Sequence, residues 1–142
     1  MKPKVIIVSG YFNPLHKGHI EYFHLAKDQG DKLFVIVNND YQRALKGSKE
    51  FMLEEERVLL INELAIVDKV FLSVDRDRSV CSTLEKVYKD NFEVFELVFV
   101  NGGDQNNESI PEVAICNKLN IKLMEGLGKK IQSSSWILKG RN

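Results

Sequence analysis

Val5-Ile6-Ile7-Val8-Ser9-Gly10-Tyr11-Phe12-Asn13-Pro14-Leu15-His16-Lys17-Gly18-His19 is the stretch on which the fold turns. A β-branched run stopped by Ser9-Gly10 reads as a buried parallel strand. From His19 to Gln29, Ile20, Phe23, His24 and Ala26 fall at helical spacing, and Gly30 suits the end of a helix. His24 reads there as a structural residue on the apolar side of the helix.

The same alternation continues outward from this unit. Leu33-Phe34-Val35-Ile36-Val37 is a second buried strand, stopped by Asn38-Asn39-Asp40. A polar loop containing Lys46-Gly47-Ser48 leads to a helix from about Leu53 to Leu64, acidic in its first turn as the helix dipole favours. Val70-Phe71-Leu72 is the third strand, followed by the charged loop Asp75-Arg76-Asp77-Arg78 and by Ser79, which is placed to cap a helix reaching about Lys89. Leu97-Val98-Phe99-Val100 is the fourth strand, closed by Asn101-Gly102-Gly103-Asp104. Pro111 opens a helix to about Leu119, and Ile121-Lys122-Leu123-Met124 is the fifth strand. Ser133-Ser134-Ser135 then precede Trp136-Ile137-Leu138 as the cap of a short terminal helix. Strict βα alternation predicts an α/β fold: one Rossmann-like domain over residues 1–142, with a parallel sheet of about five strands and helices on both faces. In such a sheet ligands collect at the carboxyl ends of the strands.

Composition narrows the function. Twenty Lys+Arg balance twenty Asp+Glu over 142 residues, which speaks against a nucleic-acid binder relying on basic excess. No apolar run approaches the roughly 18–20 residues that span a bilayer, and the short apolar stretch near the N-terminus is not that of a secretory signal. Cys81 and Cys116 form neither a CxxC nor a zinc spacing, so a reduced, cytoplasmic setting is expected.

The loop after the first strand carries the chemistry. His16, His19 and Lys17 meet Gly10 and Gly18 where a helix begins, and helix N-termini offer unpaired N–H groups to phosphate. Gly10 admits close backbone approach to a ligand, and Gly18 relieves crowding beside the histidines. The His-x-x-His interval aims two imidazoles at a single phosphate. Its competitors are a metal pair, which lacks a completing carboxylate or cysteine, and an incidental helix start. Neither GxxxxGK[ST] nor GxGxxG occurs in the required context; Gly126-Leu127-Gly128-Lys129-Lys130 ends wrongly for both.

The motif Gly10-x-Phe12-Asn13-x-x-His16-x-Gly18-His19 resembles the opening signature of the cytidylyltransferase-like nucleotidyltransferases. That likeness continues in order. Lys46-Gly47 is similar to the family's lysine after the second strand, Glu55-Glu56-Arg57 to its E-x-R helix, Val67-Asp68-Lys69-Val70 to its V-D-x-V entry, Asn101-Gly102-Gly103-Asp104 to its Gly-Gly-Asp loop, and Ser133-Ser134-Ser135-Trp136-Ile137 to its serine-threonine run. Glycerol-3-phosphate cytidylyltransferases, heptose 1-phosphate adenylyltransferases and archaeal FAD synthetases are the branches it resembles.

The resemblance implies transfer of CMP or AMP from CTP or ATP to a small phosphorylated or phosphonate acceptor, with release of pyrophosphate. His16, His19 and Lys46 are the implied catalytic residues. Gly10, Tyr11, Phe12, Asn13, Gly18, Arg57, Gly103, Asp104, Lys129, Ser133, Ser134 and Ser135 are the implied nucleotide-binding set. Mg2+ would arrive with the triphosphate without a dedicated protein site, and a homodimer is implied. Asn13 stands where many members carry aspartate, and Lys129 is the substitute for an arginine the family places before its serines. Taken singly, Lys46 reads as a solvated charge, Arg57 as a surface ion pair with neighbouring glutamates, Asp104 as a turn residue and the serines as a helix cap. The competing function is a nucleotide-binding module without turnover, serving regulation or assembly; an RNA-linked role lacks any supporting extension.

Overall fold

Lys4–Gly10 forms strand β1, the centre of a five-stranded parallel sheet in a computed structural model that describes residues 2–100 and 110–125. β1 pairs on one side with β2 (Lys32–Val37), and on the other with β4 (Glu96–Val100). β3 (Lys69–Leu72) and β5 (Lys122–Met124) are the edges, giving the order β3-β2-β1-β4-β5. Val8 lies opposite Val35, and Ile7 opposite Phe99.

Successive residues of a strand face opposite ways, so each strand feeds two cores. Ile6, Val8, Leu33, Val35, Val37 and Val98 pack with Phe23 and Ala26 of α1 (Lys17–Lys27) and Ile61 of α3 (Glu54–Asn62). On the other face Val5, Ile7, Phe34, Ile36, Leu97 and Phe99 pack with Leu84 and Val87 of α4 (Cys81–Asn91) and Cys116 of α5 (Ile110–Leu119). Winding runs outward from β1 in both directions, which makes the carboxyl ends of β1 and β4 the place where strand order reverses and a crevice opens.

Three local expectations are corrected. The polar segment after β2 is not a loop but a helix, α2 (Asp40–Lys46), with Lys46 as its last residue. Asn39 starts it: its Oδ1 accepts from the Gln42 amide at 2.8 Å, and Gln42 Oε1 accepts from the Asn39 amide at 2.9 Å, a reciprocal cap. Gly47, at φ 82°, closes it in the left-handed conformation that glycine adopts without strain. Ser79 only shares the capping of α4: its Oγ accepts from the Cys81 amide at 3.4 Å, a longer bond than those of two carboxylates. The Asp75 carboxylate takes the Ser82 and Thr83 amides at 2.8 and 3.0 Å, and Glu112 Oε2 takes the Val80 amide at 2.9 Å. His24 is exposed rather than part of the core, because α1 buries Phe23 and Ala26 instead. No helix among the described residues is long and apolar enough to cross a membrane.

Candidate active site

α1 begins with an arrangement built from the two histidines themselves. His16 is its N-cap, and His16 Nδ1 accepts the Gly18 amide at 3.1 Å. His19 Nδ1 reaches back to accept the His16 amide, also at 3.1 Å. The rings stack with centroids 3.9 Å apart and planes 29° from parallel. Because each Nδ1 lone pair receives a backbone N–H, each neutral ring carries its proton on Nε2. The helix N-terminus therefore presents two Nε2–H donors, and among the described residues neither has a hydrogen-bond partner. Burial, and then the neighbouring His16, push the His19 pKa down to about 4, so its ring is a neutral donor at physiological pH.

Residues that looked like ligand contacts hold this pair in place. Phe12 is 3% exposed and sits at φ 54°, a conformation that costs a bulky residue about 1–3 kcal/mol and persists where packing over-determines it. Its ring meets His19 edge-on at 4.9 Å and Phe23 at 5.4 Å. Gly10 makes room for that ring: a Cβ there would lie 2.8 Å from Phe12 Cζ. At Gly18 a Cβ would come within 3.0 Å of His16 Cε1, so this glycine admits the capping imidazole, as the expected relief of crowding requires. Tyr11 receives Lys46, whose Nζ lies 4.5 Å from the ring centroid. Lys46 thus joins the histidine loop from the end of α2.

Arg57 corrects the reading of it as a surface ion pair with neighbouring glutamates. It is 0% exposed, so it is no surface ion pair, and its donors are committed inside the protein. Nε donates to the Met52 carbonyl at 3.0 Å, Nη1 to the carbonyls of Tyr11 and Asn38 at 2.7 Å each, and Nη2 pairs with Asp40 at 2.6 Å. Arg57 lies beneath the site, tying the loop after β1, the end of β2 and the start of α2 to α3. Asn13 likewise spends its amide on backbone: Oδ1 accepts from Phe51 and Met52 at 2.9 and 2.8 Å, and Nδ2 donates to the Lys49 carbonyl at 2.7 Å. Asn13 and Arg57 thus hold the backbone around the histidine loop through these bonds.

A sequence profile described as cytidylyltransferase-like matches residues 7–135. The chain belongs to the cytidylyltransferase-like family. Among relatives of this cytidylyltransferase-like chain, the FAD synthase of Methanosarcina barkeri is 42% identical over 72 residues, covering 51% of each chain. A bifunctional protein HldE of Wolinella succinogenes is 30% identical over 139 residues, 92% of this chain and 27% of that one. The match thus spans about half of the first relative and about a quarter of the second. The crystal structure of a lipopolysaccharide core biosynthesis protein from Thermoplasma volcanium superposes with a TM-score of 0.63 at 27% identity, covering 87% of this chain and 95% of the other.

Sequence reading missed the buried polar support beneath the histidine loop. Gln42 is 0% exposed; besides capping, Oε1 accepts from Asn38 Nδ2 at 3.1 Å, and Nε2 donates to the carbonyls of Asp77 and Ser79 at 2.7 Å each. Asn39 Nδ2 donates to the carbonyls of Ser73 and Asp75 at 2.9 Å. Together they lock the loops that follow β2 and β3. The signal available was Asn39-x-x-Gln42, an N-cap pattern. Gly103, Asp104, Lys129, Ser133, Ser134 and Ser135 lie outside the described residues. No cluster of three His, Cys, Asp or Glu side chains suited to a metal occurs among the described residues.

Proposed function

We propose that the chain is a nucleotidyltransferase that joins a nucleoside monophosphate from ATP or CTP to a small phosphorylated acceptor and releases pyrophosphate. The observation that carries this reading is the His16–His19 pair, with both Nδ1 atoms filled and both Nε2–H donors left at a helix N-terminus. Such a pair suits phosphate oxygens. A low His19 pKa keeps one donor uncharged, so it hydrogen-bonds the triphosphate without acting as a proton source.

The acceptor's phosphate oxygen attacks the α-phosphorus; a new P–O bond forms as the bond to the bridging α–β oxygen breaks, and that electron pair leaves on pyrophosphate. A phosphomonoester is largely dianionic near pH 7, its second pKa being about 6, so no general base is required. The chain's task is positioning and charge stabilisation. His16, His19 and the α1 N-terminus take triphosphate oxygens, and Lys46, beside Tyr11, supplies positive charge toward the α-phosphate or the acceptor. Asp104, Lys129 and Ser133–Ser135 complete the nucleotide seat in this proposal. Mg2+ would neutralise triphosphate charge; the imidazole donors near the helix start do not suit this oxygen-seeking ion, so it belongs to the nucleotide rather than to a described protein seat.

ATP is favoured as donor, since three relatives carry the name FAD synthase and FAD contains an adenylyl group. The test is pyrophosphate release from ATP and CTP, with Mg2+, against flavin mononucleotide, sugar 1-phosphates and polyol phosphates. Turnover with ATP and one phosphomonoester class is expected. Tight nucleotide binding without release for any acceptor would overturn the reading in favour of a binding module.

A further inference from the structure

Between α2 and α3 the chain crosses the rim of the sheet as a strap, residues 47–53. It is held from several sides. Arg43 Nη1 donates to the Ser48 carbonyl and Nη2 lies 3.6 Å from Glu50; Arg57 holds the Met52 carbonyl from below. The tie to the histidine loop comes from Asn13, three residues before His16.

The two ends of the Asn13 amide are fixed by their partners. Oδ1 faces two backbone N–H groups, and Nδ2 faces a carbonyl; a flipped amide would set NH2 against two donors and oxygen against oxygen. An aspartate here would keep the two bonds from Phe51 and Met52, but would press a carboxylate oxygen against the Lys49 carbonyl. Three of the amide's four hydrogen-bonding capacities are taken by backbone, and contact with Mg2+ favours a carboxylate. The surroundings of Asn13 select an amide for a different reason.

We propose that Asn13 is a positioning residue whose amide latches the strap to the histidine loop and so sets the acceptor side of the site. The proposal rests on the reading that a phosphorylated acceptor is used. The strap starts directly after Lys46 and the Gly47 cap, which end α2 and hold that lysine independently of the latch. It also carries exposed Lys49 and the Phe51 ring, 65% exposed and the most exposed large apolar side chain described, on the backbone that Asn13 holds. A latched strap presents these groups to an acceptor as one preformed edge; an unlatched strap must be ordered by the acceptor itself.

Amide hydrogen exchange on the ligand-free protein tests the latch without substrate. In Asn13→Ala the amides of residues 51 and 52 should exchange at least about tenfold faster while those of β1 and β2 stay unchanged, as loss of their acceptor requires. In Asn13→Asp those two amides should stay within about threefold of wild type, and tryptic cleavage after Lys49 should rise. Kinetics test the positioning: the KM for the acceptor should rise about tenfold in Asn13→Ala, with kcat and the ATP KM within about threefold, and Asn13→Asp in between. Unchanged exchange at 51 and 52 in Asn13→Ala would overturn the latch. A fall in kcat at constant acceptor KM, or an altered Mg2+ dependence in Asn13→Asp, would also overturn it by placing the side chain on the reacting phosphates. If Asn13→Ala does not fold, Asn13→Asp decides through cleavage and acceptor KM. If wild-type protein turns over no acceptor, the proposed function fails, and exchange alone decides the latch.

Discussion

His19 can take up a second ring proton only at Nδ1, which is already accepting the His16 amide, so protonation breaks the helix start that the pair builds. An imidazole in the unfolded chain protonates near pH 6.5, whereas His19 in the folded protein does so at about 4. Between those values the unfolded chain binds the extra proton. The His19 contribution to stability is therefore full above about pH 6.5, declines as the pH falls, and is lost below about 4. His19→Asn, whose Oδ1 can take the place of Nδ1, should show a flatter dependence of urea midpoint on pH between 7 and 4.5; parallel curves would refute the assignment. The same pair governs the proposed chemistry. His16→Ala and His19→Ala should each lower kcat by about 10²–10³. Each should cost only about 1–2 kcal/mol in urea unfolding, the range for loss of a helix cap. Equal collapse of both quantities would return the histidines to a purely structural role.

At the scale of elements, Arg57 decides how α2 and α3 meet the sheet. Asp40 holds Arg57 through Oδ1 and the Glu54 amide through Oδ2, while Glu54 Oε1 takes the Asp40 amide, so the two helix starts cap one another. Arg57→Ala leaves three backbone carbonyls and the partly exposed Asp40 carboxylate without their donor, and should destabilise by about 3 kcal/mol, the lower end of the range for breaking a buried ion pair. Arg57→Lys should recover little of this, because one ammonium cannot span the four acceptors. A near-wild-type urea midpoint for either variant would exclude the role. Glu112 makes the opposite case. Burial first, with Asp75 and Asp77 nearby, raises its pKa despite the hydrogen bond from Val80, and its Oε1 is buried without a partner. Glu112→Gln keeps an oxygen for the Val80 amide and removes the charge, so in urea unfolding at pH 7 it should match wild-type stability or exceed it by up to about 1 kcal/mol.

These elements also mark where sequence stopped being enough. β1, β2 and β4 were legible as apolar runs buried on both faces, the edge strands β3 and β5 as short apolar runs, and α1, α3, α4 and α5 because they lie between such runs. α2 was not, since its buried polar residue, Gln42, is satisfied by carbonyls more than thirty positions away. Ser79 drew the capping role from its place in the chain, yet the folded loop brings Asp75 and Glu112 to the same helix end. Arg57 was visible as a charged residue among glutamates, but the acceptors that bury it come from loops that meet only in the tertiary structure.

Over the whole molecule, the order β3-β2-β1-β4-β5 places the histidine loop at the sheet's reversal point, and α1 aims its N-terminus there. That much followed from βα alternation and one loop motif; the division between residues that touch ligand and residues that hold those residues did not, because both kinds share the same short segments. A ligand experiment separates them. With zero formal net charge, the molecule has no broad positive field to concentrate a polyphosphate, so nucleotide affinity has to come from local donors. ATP with Mg2+ at about 100 times its Kd should stabilise the wild-type protein by about 2.7 kcal/mol, read as a rise in melting temperature. His16→Ala combined with His19→Ala should lose most of that rise, since the two Nε2–H donors are gone. Asn13→Ala should keep it, since the helix start and both imidazoles remain in place while only the strap is released. A rise surviving in the double histidine variant would move the triphosphate away from α1, and with it the reason for two stacked imidazoles at the head of the helix.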